Sequence, residues 1–208
     1  EIRLQEWDYL DGNHILETVS YLVVEQGRYT LEDGTLVEAT NLVDSTANTF
    51  QPVAFNGDFN TVPVVMTTIT SFNDPAAVTG RTRDITASGF QFKTQEQQAN
   101  EQDHGPENLS LIAWEPSSGM VGELAFAVDT TADTVTHDAC TILFPVAFSD
   151  PPAFVADMQT GNGADVAGVR YTNKDASTVD VWIEEEASSD EETVRTHPEA
   201  VGYMAFGP

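Results

Sequence analysis

The chain has 208 residues, 40% of them hydrophobic, which is enough for one large domain or two small ones with a buried core and too apolar for a disordered tail. Its 34 Asp and Glu against 8 Lys and Arg give a formal charge of −26, which repels phosphate backbones and anionic bilayers and argues against nucleic acid or acidic membrane as partner. Acidity of this degree suits a protein that works in high salt, where counterions screen the self-repulsion, or one that collects divalent cations. In chain order, the opening residues 1–4 alternate like a strand, and no basic stretch followed by an apolar run precedes them. The sequence therefore reads as a mature piece or a fragment of something longer. Residues 62–70, 89–93 and 108–114 alternate or run apolar and are rich in Val, Ile, Phe and Thr, which predicts strands. Residues 142–144 form a short apolar strand just after Cys140, the single cysteine, which reads as a small core residue. Residues 154–158, 179–183 and 200–206 complete the predicted set. Between them lie Asn56-Gly-Asp, Asn73-Asp-Pro, Ser117-Ser-Gly, Ser149-Asp-Pro-Pro and Gly161-Asn-Gly, all turn chemistry. No segment keeps a helical period for three turns, and none approaches the roughly 20 apolar residues of a membrane span. Almost no helix and no membrane insertion are expected.

The chain also repeats itself. Pro52-Val-Ala-Phe55 returns as Pro145-Val-Ala-Phe148, Pro63-Val-Val-Met66 is answered by Pro152-Ala-Phe-Val155, and Arg81 by Arg170. His104-Gly-Pro-Glu107 before an apolar strand is matched to His197-Pro-Glu199 before another. Ile2 to Trp7, His14 to Glu17 and Val19 to Val24 follow the second half of the same pattern. The expected organisation is the C-terminal half of a preceding repeat over residues 1–27, a complete module over 28–118 and another over 119–208. Several short strands per ninety-residue module, spaced by turns, predict an all-β chain of tandem antiparallel β-sandwiches in series.

The strands Phe50-Gln-Pro-Val-Ala-Phe55 and Pro63-Val-Val-Met66, the loop carrying Arg81, Ala87-Ser-Gly-Phe90 and the last strand Leu109 to Trp114 resemble the H-type lectin domain of snail agglutinins and of the C-terminal part of discoidins. The resemblance covers about seventy residues of the first complete module and, more weakly, of the second. It implies a sandwich of about six strands that trimerises and binds galactose or N-acetylgalactosamine between protomers. Two and a half modules in one chain would allow a pseudo-oligomer instead of a trimer. The chain departs from the family in a long acidic loop, Thr94 to Asp103, that ends in a His-x-x-Glu element. The family's sugar-binding set therefore does not transfer intact, and of its arginine only the residue type transfers to Arg81 and Arg170.

Three groups of residues are candidates for chemistry. His14 with Glu17, His104 with Glu107 and His197 with Glu199 form a thrice-repeated imidazole and carboxylate pair, able to share a metal, to rim a sugar site, or simply to cap a turn and pair at a strand entry. Acidic patches precede them, and among these Asp8, Asp11, Glu96, Asp103 and Glu185 are the residues expected to serve calcium, which takes six to eight oxygens, unless they form only a solvated loop. Trp7 and Trp182, read as lying near the same place in their copies, offer an indole face to a pyranose or pack in the core. Arg81 and Arg170 offer a fork of donors to a sugar or neutralise neighbouring carboxylates. No P-loop, GxGxxG, HExxH or GxSxG motif occurs. The expectation is a non-catalytic extracellular or cell-surface module pair that binds glycan or polysaccharide as part of a larger protein. The alternative is a structural or adhesive spacer stabilised by calcium or salt.

Overall fold

The computed structural model describes residues 2–44, 48–100 and 103–208. It is all-β, as expected, with fourteen antiparallel strands and no helix among the described residues. The first seven are β1 (Gly27–Thr30), β2 (Leu36–Asp44), β3 (Gln51–Ala54), β4 (Val64–Ile69), β5 (Val78–Arg83), β6 (Gly89–Glu96) and β7 (Glu107–Trp114). The second seven are β8 (Ser117–Val121), β9 (Leu124–Thr130), β10 (Cys140–Leu143), β11 (Ala153–Met158), β12 (Ala167–Thr172), β13 (Thr178–Glu185) and β14 (Val201–Gly207). Four sheets result: sheet I (β1-β2-β7-β4), sheet II (β3-β6-β5), sheet III (β8-β9-β14-β11) and sheet IV (β10-β13-β12). Sheets I and II share the first seven strands, sheets III and IV the second seven, in the same spatial order. Each set thus has seven strands where about six were expected.

The repetition extends to register. Val64 faces Trp114 and Ile69 faces Leu109 in one set; Ala153 faces Phe206 and Met158 faces Val201 in the other. Arg81 stands opposite Lys93, and Arg170 opposite Trp182. Arg81 and Arg170 are therefore equivalent positions, and Trp182 answers Lys93.

Each module has its own core, because alternate residues of facing sheets point inward. Leu109, Leu111 and Ala113 of β7 meet Phe90 and Phe92 of β6, while Val201, Tyr203 and Ala205 of β14 meet Val179, Val181 and Ile183 of β13. A third cluster lies between modules. Val37, Val64 and Trp114 on the outer face of sheet I pack on Phe126, Val128 and Met204 on the outer face of sheet III, with the Trp114 ring centroid 5.3 Å from Phe126 and 5.5 Å from Phe206. Of the central strands, β9 and β14 are buried on both faces along most of their length and read as apolar runs, whereas β6, β7 and β13 alternate.

Residues 2–26 differ from expectation. They form no strand, although residues 1–4 and 19–24 carry strand patterns. An apolar alternation becomes a strand only where a ladder partner satisfies its N–H and C=O groups. Here residues 19–24 lie across the outer face of sheet I instead, lining a 450 Å³ cleft with Ala39, Met66 and Ile112, and Leu22 packs against the inter-module cluster. The segment caps the first complete module.

Candidate functional site

Two loop cradles, one per module, are each built around a buried glutamate at the entry to the last strand. Glu107 accepts hydrogen bonds from the Ser71 hydroxyl, from Asn73 N at 2.9 Å and from Asp74 N at 3.1 Å. Glu199 accepts from Thr160 Oγ1 at 2.5 Å, Asn162 N at 3.0 Å and Gly163 N at 3.0 Å. The second asparagine hydrogen bond repeats too: Asn73 Nδ2 donates to Pro106 O at 2.8 Å and Asn162 Nδ2 to Pro198 O at 2.7 Å. Burial pushes both glutamates up, but the converging donors outweigh it and hold each carboxyl below the ordinary range.

The cations that complete the cradles differ. In the first module the His104 ring lies between two carboxylates, Nδ1 3.1 Å from Glu96 and Nε2 3.3 Å from Glu107. In the second, Arg195 donates through Nη1 to Glu185 at 2.8 Å and through Nη2 to Glu199. Glu96 and Glu185 hold the same ladder position, opposite Val78 and Ala167. Arg195, not His197, is thus the counterpart of His104. This corrects the sequence alignment of the two histidines: a guanidinium four residues before its glutamate reaches the point that an imidazole reaches from three, and His197 is left exposed. At Gly163 the space is taken by that guanidinium, since a Cβ there would stand 2.1 Å from Arg195 Cζ. The equivalent position in the first module is Asp74, whose carboxylate lies 3.9 Å from His104 Nδ1 and is held low by Ala76 N and Gly105 N.

The second cradle is also a junction. Arg81 of the first module is buried, donating to Asp165 O at 2.8 Å and Gly163 O at 3.3 Å, with Glu199 3.7 Å from its Nη2. The Gln159 side chain reads β4 like a neighbouring strand, accepting from Val65 N at 2.8 Å and donating to Val65 O at 2.9 Å. Thr82 Oγ1 donates to Met158 O at 2.6 Å. Asp157, half-buried beside Thr67 of the first module, has its carboxyl pushed up by burial to about 7, against the pull of Met158 N and Arg81.

The structure brings together His104, Glu96 and Glu107 in one cluster and Glu185, Glu199 and Arg81 in the other. All of these are buried and turned inward. Asp74, Glu96 and His104 offer ligand atoms within 4.8 Å of one another, and Glu96 is the one residue of the expected acidic set in this group. An imidazole among two carboxylates suits a transition metal better than oxygen-seeking calcium. Asp8, Asp11 and Asp103 lie apart on the exposed surface, as do His14 and Glu17, while Glu101 of the same acidic loop is outside the described residues. Asp8 contacts the first module, its N donating to Gln97 Oε1 at 2.8 Å. Trp7 sits one residue before it and so answers Gln97 rather than Trp182, because the tail follows the module offset set by these contacts. Trp182 lies half-buried on the outward face of sheet IV opposite Arg170, whose Nε and Nη2 donate to Glu184 Oε1 at 3.2 and 2.9 Å. Sequence reasoning missed Ser71, Thr160, Asn162 and Arg195; the Pro-Glu pairs and the two Asn turns were the available signal.

No protein-family model matches the chain, and no solved structure matches it. Halomucin of Haloquadratum walsbyi is 34% identical over 210 residues, an alignment that covers 99% of this chain. The chain spans about 2% of the length of that relative, so the similarity is to one short segment of a far longer protein.

Proposed function

We propose that the chain is a non-catalytic structural unit of a surface or secreted repeat protein, in which β-sandwich modules are fused into a stiff acidic array. The observation that carries this reading is the junction itself. Arg81, one of only 8 basic residues, is spent inside the next module's cradle, and the Gln159 amide is spent on the preceding module's backbone. Chemistry committed to holding modules together is unavailable to a soluble ligand. The similarity of nearly the whole chain to a small segment of halomucin supports a unit within something much longer. The surface charge supports a high-salt setting, where screening relieves self-repulsion. The test is thermal melting against monovalent salt and against calcium, with galactose, N-acetylgalactosamine and an anionic polysaccharide titrated in parallel. A melting temperature that climbs with ions and ignores sugars supports the spacer reading. Saturable sugar binding with no response to ions overturns it.

A second reading, glycan binding in the manner of the H-type lectins, is favoured by one surface. Trp182 and Arg170 stand side by side on the outward face of sheet IV, and nearby Gly168 leaves open space around its Cα, a flat platform of the sort on which a pyranose stacks. Trp182→Ala separates the two: it abolishes binding if this face holds sugar and leaves the ion response unchanged if it does not.

A further inference from the structure

The chain contains two successive contacts between repeats, and they use the same atoms. Gln95 Nε2 of the first module donates to Ala164 O of the second at 3.1 Å, and Gln5 Nε2 of the N-terminal segment donates to Pro75 O of the first at 2.7 Å. Gln98 N donates to Glu186 Oε1 at 2.6 Å, and Asp8 N to Gln97 Oε1 at 2.8 Å. Pro75 and Ala164 are equivalent positions, as are Gln97 and Glu186, by the register that equates Glu96 with Glu185. The segment over residues 2–26 therefore meets the first module as the first module meets the second. A head-to-tail contact that recurs in the same register leaves, at the end of the series, the face that the next module would use.

The same register identifies the face of the second module that corresponds to the docked face of the first. Arg81 and Arg170 hold one ladder position, yet the side chain of Arg81 is 2% exposed and that of Arg170 58%. At the other end of the junction, Leu31 packs against the inter-module core. It is bonded to Thr35 across the β1–β2 turn just as Val121 is paired with Leu124 across the β8–β9 turn. Val121 is 41% exposed, and its neighbours Met120 and Leu124 are 62% and 48% exposed. At Arg170 and Val121 the second module thus exposes two positions whose counterparts in the first module are covered.

We propose that this face of the second module, from Arg170 on β12 to Val121 on the β8–β9 hairpin, is a docking surface for a further module of the same kind. Arg170 leaves Glu184 and enters the incoming module's loop cradle, donating to the loop carbonyls that correspond to Gly163 O and Asp165 O, beside the glutamate that corresponds to Glu199. Val121 is covered by the incoming four-stranded sheet. The proposal rests on reading the chain as a unit of a tandem array, and adds where and how the array continues.

The test is the full chain extended after Pro208 by a second copy of residues 117–208, which keeps the whole of β8, compared with the 208-residue chain by arginine modification with phenylglyoxal and peptide mass spectrometry. In the 208-residue chain Arg170 is modified readily and Arg81 is not. In the extended chain Arg170 of the inner module becomes at least tenfold less reactive, approaching Arg81, while Arg170 of the appended copy keeps its reactivity. Arg170→Ala lowers the melting temperature of the extended chain and leaves that of the 208-residue chain unchanged. An inner Arg170 as reactive as before, in an extended chain whose melting shows the added module folded, overturns the proposal. That outcome leaves the ion and sugar titrations of the shorter chain to decide its own function independently.

Discussion

The cradle around Glu107 and the cradle around Glu199 share a backbone and differ in their cations. Both bind the glutamate with a hydroxyl and two successive loop N–H groups, and both lock the loop with an asparagine amide on the carbonyl of the preceding proline. One is completed by an imidazole with a carboxylate beside it at Asp74; the other is completed by a guanidinium that needs glycine at 163, and it also receives Arg81 from the neighbouring module. The difference teaches that the repeat preserves the anion-binding loop, while the countercharge is free to change residue type and sequence position. It also locates the junction: the fully compensated cradle is the one that faces another module.

The largest effect expected from breaking this comparison is at Glu199. Glu199→Ala leaves Arg195 and the buried Arg81 without their shared carboxylate, and should cost about 3 kcal/mol or more of unfolding free energy in denaturant titration. Glu107→Ala, with no arginine stranded, should cost less. Next is the exchange of cations. His104→Arg alone should destabilise because Asp74 occupies the space that Gly163 leaves free, whereas His104→Arg with Asp74→Gly should recover stability. A double-mutant cycle should show favourable coupling of about 1 kcal/mol between the two sites, and additive losses would contradict the equivalence. Smaller again is the arginine pair. Arg81→Ala should cost about 2 kcal/mol through lost charged hydrogen bonds, and Arg170→Ala in the same chain about 0.5 kcal/mol or less, since its pair with Glu184 is at the surface.

A different kind of effect is expected in pH dependence, where signs distinguish the groups. Glu107 and Glu199 are held low, so their contribution is present above the ordinary glutamate value of 4.5 and is lost as pH falls through their folded values. Asp157 is raised from 3.8 to about 7. The unfolded chain therefore releases that proton first, and stability falls as pH rises through this window. Asp157→Asn should remove the fall, gaining stability relative to the parent at pH 8 and matching it at pH 3. Urea unfolding at the two pH values checks it.

Much of the fold is legible in the sequence because strands β4, β6, β7, β11, β13 and β14 bury apolar faces. The edge strands β5 and β12 are not: Val-Thr-Gly-Arg-Thr-Arg and Ala-Gly-Val-Arg-Tyr-Thr carry no clear alternation, because their polar side chains answer to a neighbouring module or to solvent. Glu107 and Glu199 are legible as repeated Pro-Glu pairs. Their donors are not, since Ser71 and Thr160 lie on a distant loop that only folding brings near, and Arg195 reaches its glutamate over a different spacing from His104. The burial of Arg81 beside the exposure of Arg170 is likewise invisible in two matching sequence positions, because it is set by what packs against each.

The central claim, that successive modules are fused through a buried polar junction into one cooperative body, is tested most directly by differential scanning calorimetry of the 208-residue chain beside Arg81→Ala. The account predicts one transition for the parent, with equal calorimetric and van't Hoff enthalpies, and separation into two transitions when Arg81 is removed. Two independent transitions in the parent, unchanged by Arg81→Ala, would contradict it.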